Sequence, residues 1–226
     1  MPPLPILIMG LSGAGKSTAI RTLDPKETFL INCFGKPLPF KGGSKLYTEI
    51  SKSNPTGNML SSDDYGRIDV TLNGISKERP EILNIIFDDS QSLIINEFMR
   101  KHSTEGKGKD IYTLYNNIAD HFFNLIDGLR WLRGNLTMFF LHHAEYDDNG
   151  LLQCKVTGKL LKEKISIPSM FTIVLLAVRE SENNFFLTQN DGTNPAKSPD
   201  GMFDSIKIAN DLQAVKDAAT IYFQGE

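Results

Sequence analysis

One octapeptide narrows the folds open to this chain more than any other feature. Gly10-Leu11-Ser12-Gly13-Ala14-Gly15-Lys16-Ser17, followed by Thr18, satisfies GxxxxGK[ST] at every fixed position. The apolar run Pro5–Met9 before it reads as a buried parallel strand, and a helix is expected over 16–23. A glycine-rich loop between such a strand and such a helix is a phosphate-binding device. Glycines let successive backbone N–H groups turn inward with no Cβ in the way. The start of the helix is expected to add its positive end. Lys16 should reach the β and γ oxygens of a nucleoside triphosphate, and the Ser17 hydroxyl should ligate Mg²⁺. The candidate ATP-binding residues are therefore Gly10, Ser12, Gly13, Ala14, Gly15, Lys16, Ser17 and Thr18.

Such a loop needs an acidic partner on another strand to hold Mg²⁺. The apolar run Leu83–Phe87 delivers Asp88-Asp89 to a strand's carboxyl end. Asp88 is the expected Mg²⁺-linked carboxylate, and Asp89 is a candidate base that orients the attacking water. Without the loop, the pair would read as solvated loop aspartates. A further apolar run, Leu136–Leu141, ends in His142-His143. A histidine there either senses the γ-phosphate, with His142 the favoured candidate, or packs at a strand end.

The rest of the chain alternates strand and helix. Strands are expected over 28–32, 67–72, 171–178 and 184–189, and helices over 92–101, 112–132 and 209–222. Within 112–132, Ile118, Phe122, Leu125, Ile126 and Leu129 fall on one face at helical spacing, which marks core. Residues 33–64 are rich in Gly, Pro, Ser and Lys and read as largely irregular. The expectation is one α/β domain over 1–226, with a mostly parallel sheet flanked by helices. A chain of 226 residues with 40% hydrophobic content can build a sizeable core. Its net charge of −3 excludes a global basic field, so any polyanion must be held by local lysines. Cys33 and Cys154 form no CxxC pair and read as free thiols of a reducing compartment. The start Met1-Pro2-Pro3 has no basic signal-peptide region, and no apolar run approaches a membrane span. The expectation is a soluble, cytoplasmic protein with no membrane partner.

The segments Gly10–Thr18, Asn84–Gln91, His142-His143-Ala144-Glu145, Thr157-Gly158-Lys159 and Ala196-Lys197-Ser198-Pro199 occur in an order that resembles one family. The chain is similar to the phage-encoded, RecA-like ATP-binding proteins associated with single-strand annealing and recombination. That resemblance implies a RecA-like P-loop NTPase fold, an ATPase cycle with Mg²⁺, oligomerisation, action on single-stranded DNA and a bacterial host cytoplasm. It also implies two DNA-holding loops. At their places lie 101–110, with Lys101, Lys107 and Lys109, and 147–164, with Lys155, Lys159, Lys162 and Lys164. These basic segments suit a phosphate grip, or are solvated surface. Lys197 is implied as a finger reaching a neighbour's triphosphate, or is an ordinary surface lysine. The family's water-activating glutamate at the end of the second strand is absent here, where Asn32-Cys33 stand. Hydrolysis then depends on Asp89 or Glu145, or is slow.

Two other function classes fit the same loop. The wording Gly10–Thr18 is shared with adenylylsulfate kinases, but 101–110 and 147–164 contain no arginine for a transferring phosphoryl group. A nucleotide-gated binding protein with little turnover would suit the missing glutamate. Phe34 and Phe40, in 33–43, either stack a base or fold over the sheet.

Overall fold

The computed structural model of the protein describes residues 2–105, 110–157 and 164–225. Nine strands form one mixed sheet with the order β3-β2-β4-β5-β1-β7-β8-β9, and β6 pairs with β5 off that path. The strands are β1 (Leu4–Gly10), β2 (Thr28–Asn32), β3 (Met59–Ser61), β4 (Asn84–Asp88), β5 (Thr137–Tyr146), β6 (Leu152–Cys154), β7 (Ile173–Glu180), β8 (Asn183–Leu187) and β9 (Lys207–Ala209). β1, β2, β3, β4, β5 and β7 pair in parallel, while β6, β8 and β9 join antiparallel. The central parallel strands are buried on both faces, which explains their continuous apolar runs.

Helices cover the two faces. On one lie α2 (Tyr65–Glu78), α3 (Gln91–Glu105) and α4 (Asp110–Gly128), which bury Ile68, Leu93 and Ile118 against Phe29, Phe87 and Phe140 of the sheet. On the other lie a six-residue 3-10 helix (Ser17–Thr22) and α5 (Leu212–Gln224), packed on Ile6, Ile8, Phe139 and Leu175. The expected stripe is core: Ile118, Phe122 and Leu125 of α4 and Leu129, in the 3-10 turn that follows it, are buried, and Ile126 packs against them.

Three expectations change. Residues 67–72 are not a strand but the first half of α2. Its buried face is Ile68, Leu72 and Ile75, at helical spacing, while Val70 is 73% exposed. Asp64 caps the helix by accepting from the Arg67 amide at 2.7 Å. The stretch 33–64 contains the short helix α1 (Gly43–Leu46) and strand β3, which extends the sheet beyond β2. The helix after the glycine-rich loop is 3-10 in form and ends at Thr22, with Leu23 extended before Asp24-Pro25. Six residues make only a small dipole, so the loop backbone and Lys16 carry more of any anion site than a full α-helix would require. Among the described residues, no helix is long and apolar enough to cross a membrane.

Candidate functional site

The sheet order decides what meets the glycine-rich loop. β5 lies between β1 and β4, and Gly10 stands level with His143. The carboxyl ends of β1 and β4, with the middle of β5 between them, therefore gather the loop, His143 and Asp88-Asp89 at one rim, where open parallel sheets bind ligands. A cavity of about 350 Å³ opens there, bounded by Ser12, Gly13, Gly15, Lys16, Ser17 and Thr18 of the loop and by Asp88, Asp89 and His143. A larger cavity of about 550 Å³ lies at the opposite end of β1, among Pro3, Leu4, Phe123, Ile126 and Phe223. Its charged members, Asp127 and Arg130, pair with each other, so it gathers no comparable chemistry.

The loop conformation explains its composition. Gly13 and Gly15 have φ of 79° and 90°, in the left-handed region that side chains disfavour. Gly10 fills a different need, since a Cβ there would lie 2.7 Å from the Ala177 carbonyl oxygen on β7. Ala14 is buried and belongs to the core beneath the loop rather than to the cavity wall. Lys16 is 5% exposed, and its ammonium donates to Gly10 O at 2.8 Å and Leu11 O at 2.9 Å. Burial pushes its pKa down to about 8, against the pull of Asp89 and Asp88 and with the help of Lys36.

Across from the loop, Ser17 Oγ donates to Asp88 Oδ1 at 2.6 Å, joining two segments 71 residues apart. Burial raises the Asp88 carboxyl to about 6, although the Ser17 hydrogen bond opposes the rise. Asp89, its neighbour, has a φ of 56°, a conformation uncommon outside glycine. Its two oxygens are taken by Lys36 Nζ at 2.7 Å and His143 Nε2 at 3.1 Å. Burial would raise its pKa, but those hydrogen bonds and charges hold it far below the usual carboxylate range. Two adjacent carboxylates are thus driven in opposite directions, and Asp89 is a weak proton acceptor.

The histidines divide by strand alternation. His143 shares a face of β5 with Phe139 and Leu141, on the loop side, and borders the cavity. His142, the favoured candidate from the sequence, points to the other face and is fully buried, its ring edge-on to Phe122. His142 Nε2 lies 2.9 Å from the Lys155 carbonyl and must donate to it, which leaves Nδ1 to accept from Ser90 Oγ at 3.0 Å. Burial lowers its pKa to about 4, so it is a neutral core residue. The cavity-facing position belongs to His143, whose amide donates to Gln91 Oε1 at 3.0 Å.

The remaining candidates are scattered. Glu145 lies two residues beyond His143 on the same face of β5 and does not border the cavity. Lys197 is exposed, and its backbone pairs with Val174, three residues before Ala177, which stands level with Gly10 on β7. It does not border its own chain's cavity. Lys101 donates to the buried Glu97 at 2.9 Å. Lys155 and Lys164 are exposed, whereas Lys107, Lys109, Lys159 and Lys162 lie outside the described residues. Sequence reasoning missed the polar cavity residues Lys36 beyond β2, and Arg179 and Asn184 where β7 turns into β8. Asn184 packs so closely on Gly15 that a Cβ there would meet its side chain at 2.6 Å. The sequence matches no protein-family model and no curated protein.

Proposed function

We propose that the chain is a RecA-like P-loop ATPase that works with Mg²⁺ and acts on single-stranded DNA, as an oligomer, in recombination or replication. The observation that carries the nucleotide reading is the Ser17–Asp88 hydrogen bond at 2.6 Å, at the floor of a cavity walled by Lys16. A hydroxyl and a carboxylate in contact offer hard oxygens to one small cation. Mg²⁺ bound together with phosphates and water requires only one or two protein oxygens. Ser17 and Asp88 therefore fit it, and would hold it. When bound, Mg²⁺ neutralises charge on the phosphate oxygens.

The chain's own groups then divide the work. Gly13 and Gly15 allow the loop to wrap the phosphates, and Lys16 exchanges carbonyl partners for phosphate oxygens, a stronger interaction for a buried cation. Asp89, held by His143, orients water by accepting its hydrogen rather than by strong basicity. Turnover by such a carboxylate is slow. A second reading, a nucleotide-gated binding protein with negligible turnover, is favoured by Asn32, which stands in place of a glutamate and spends both polar atoms on the following loop. The DNA part of the proposal rests on the family resemblance and on Lys155 and Lys164. Steady-state ATP hydrolysis with and without single-stranded DNA, with Lys16→Ala as the blank, tests it. Turnover above the blank that rises with DNA is expected. Turnover equal to the blank, with ATP still bound, supports the gated binder, and turnover indifferent to saturating DNA removes the recombination reading.

A further inference from the structure

The segment after β2 shows no periodicity in the sequence, yet it builds one wall of the cavity. Asn32, the last residue of β2, stands level with Asp88 on β4. Its Oδ1 accepts from the Gly35 amide at 2.9 Å and its Nδ2 donates to the Lys36 carbonyl at 2.7 Å. Gly35 turns the chain with a φ of 75°. The clamp projects Lys36 over the strand ends, where its ammonium meets Asp89 Oδ2 at 2.7 Å and lies 4.5 Å from the centre of the Phe34 ring. The Lys36 side chain is 53% exposed and the Asp89 side chain 10%. The cation is thus held by a fixed backbone but remains open to a better partner.

We propose that Lys36 is a ligand of the nucleotide's terminal phosphate, and that it gives this chain its preference for a triphosphate over a diphosphate. The inference rests on the reading of the cavity as a nucleotide site. Within that reading the Ser17–Asp88 contact marks where the β and γ phosphates lie. Lys36 stands on that side, beyond β4, while Arg179 and Asn184 enter from the opposite flank, beyond β1. Lys36 is also near enough to Lys16 to depress its protonation. A terminal phosphate carries more charge than the Asp89 carboxylate, and the Lys36 side chain, 53% exposed, is open to solvent and to a competing anion. Exchange of Asp89 for phosphate therefore costs little, and a diphosphate offers no group at that distance. Asn32, in place of a carboxylate, avoids setting a third negative charge beside Asp88 and Asp89 and instead sets the lysine's position.

The test compares Mg²⁺-dependent affinities for a non-hydrolysable ATP analogue and for ADP in the wild type, Lys36→Ala, Lys36→Arg and Lys16→Ala. Loss of one charge-assisted hydrogen bond should weaken the triphosphate about tenfold in Lys36→Ala. ADP affinity should stay within about twofold, and Lys36→Arg should recover part of the ratio, since it keeps the charge. A triphosphate-to-diphosphate ratio in Lys36→Ala equal to that of the wild type overturns this proposal alone. Failure of the wild type to bind either nucleotide, with Lys16→Ala indistinguishable from it, overturns the cavity reading and this proposal with it. A merely structural ion pair would change thermal stability and leave the ratio unmoved.

Discussion

Replacing Asp88 with asparagine should stabilise the protein at neutral pH while removing a residue on which the proposed activity depends. Asp88 is 5% exposed and its carboxyl is raised from 3.8 to about 6, chiefly by burial. A folded-state pKa above the unfolded one means that the native state binds the proton more tightly. That contribution is fully present below 3.8 and is lost as pH rises through about 6. A rise from 3.8 to about 6 corresponds to about 3 kcal/mol of destabilisation at pH 8, and this figure already includes the opposing pull of Ser17 and Lys16. The substituted amide would retain an oxygen for the Ser17 hydroxyl. At about 2–4 °C per kcal/mol for a chain of this size, Asp88→Asn should melt roughly 6–12 °C higher at pH 8. His142 runs the other way: burial lowers it from 6.5 to about 4, so the stability of its neutral form is present above 6.5 and lost as pH falls towards 4. In the wild type the carboxyl and imidazole contributions offset each other over that window. In Asp88→Asn only the histidine loss remains, so the gain at pH 8 should shrink to near zero at pH 4. Thermal and urea denaturation in EDTA, without nucleotide, at pH 4, 6 and 8 measures this. An equal gain at all three pH values, or no gain at pH 8, would refute the burial argument.

Two further perturbations test the fold. Leu72→Asp buries a charge beneath α2 and should cost several kcal/mol, whereas Val70→Asp should stay within about 0.5 kcal/mol, both read from urea denaturation. Equal costs would return 67–72 to a strand with both residues on one face. Arg133 donates to the carbonyls of Ile75, Arg79 and Ile82, fastening the end of α2 to the approach of β4. Arg133→Lys keeps the charge but loses the fork, and should cost about 2 kcal/mol in the same assay. A change below about 0.5 kcal/mol would show that the three carbonyls are satisfied without it.

The parts of this molecule that were legible in its sequence are those whose chemistry is local. Gly13 and Gly15 announce left-handed backbone, and the run into Asp88 a buried strand with a carboxylate at its end. None of these needs knowledge of a distant neighbour. The misreadings arise where local signals are degenerate. Ile68, Val70 and Leu72 satisfy a period of two, yet Ile68, Leu72 and Ile75 satisfy a helical period equally well, and the Asp64 cap decides between them. The choice between His142 and His143 is one of parity. Both belong to the same strand, and only the face covered by α4 determines which imidazole is buried and which reaches Asp89. Lys36 lies in a stretch with no period at all, so its place follows from two hydrogen bonds of Asn32 and from the pairing of β2 with β4. The same reasoning locates the chemistry of the site. In the sequence Asp88 and Asp89 stand as equals, but the sheet gives one a serine and near-complete burial, and gives the other a lysine and a histidine. Their opposite pKa shifts separate two adjacent carboxylates, a difference that requires the folded neighbours of each.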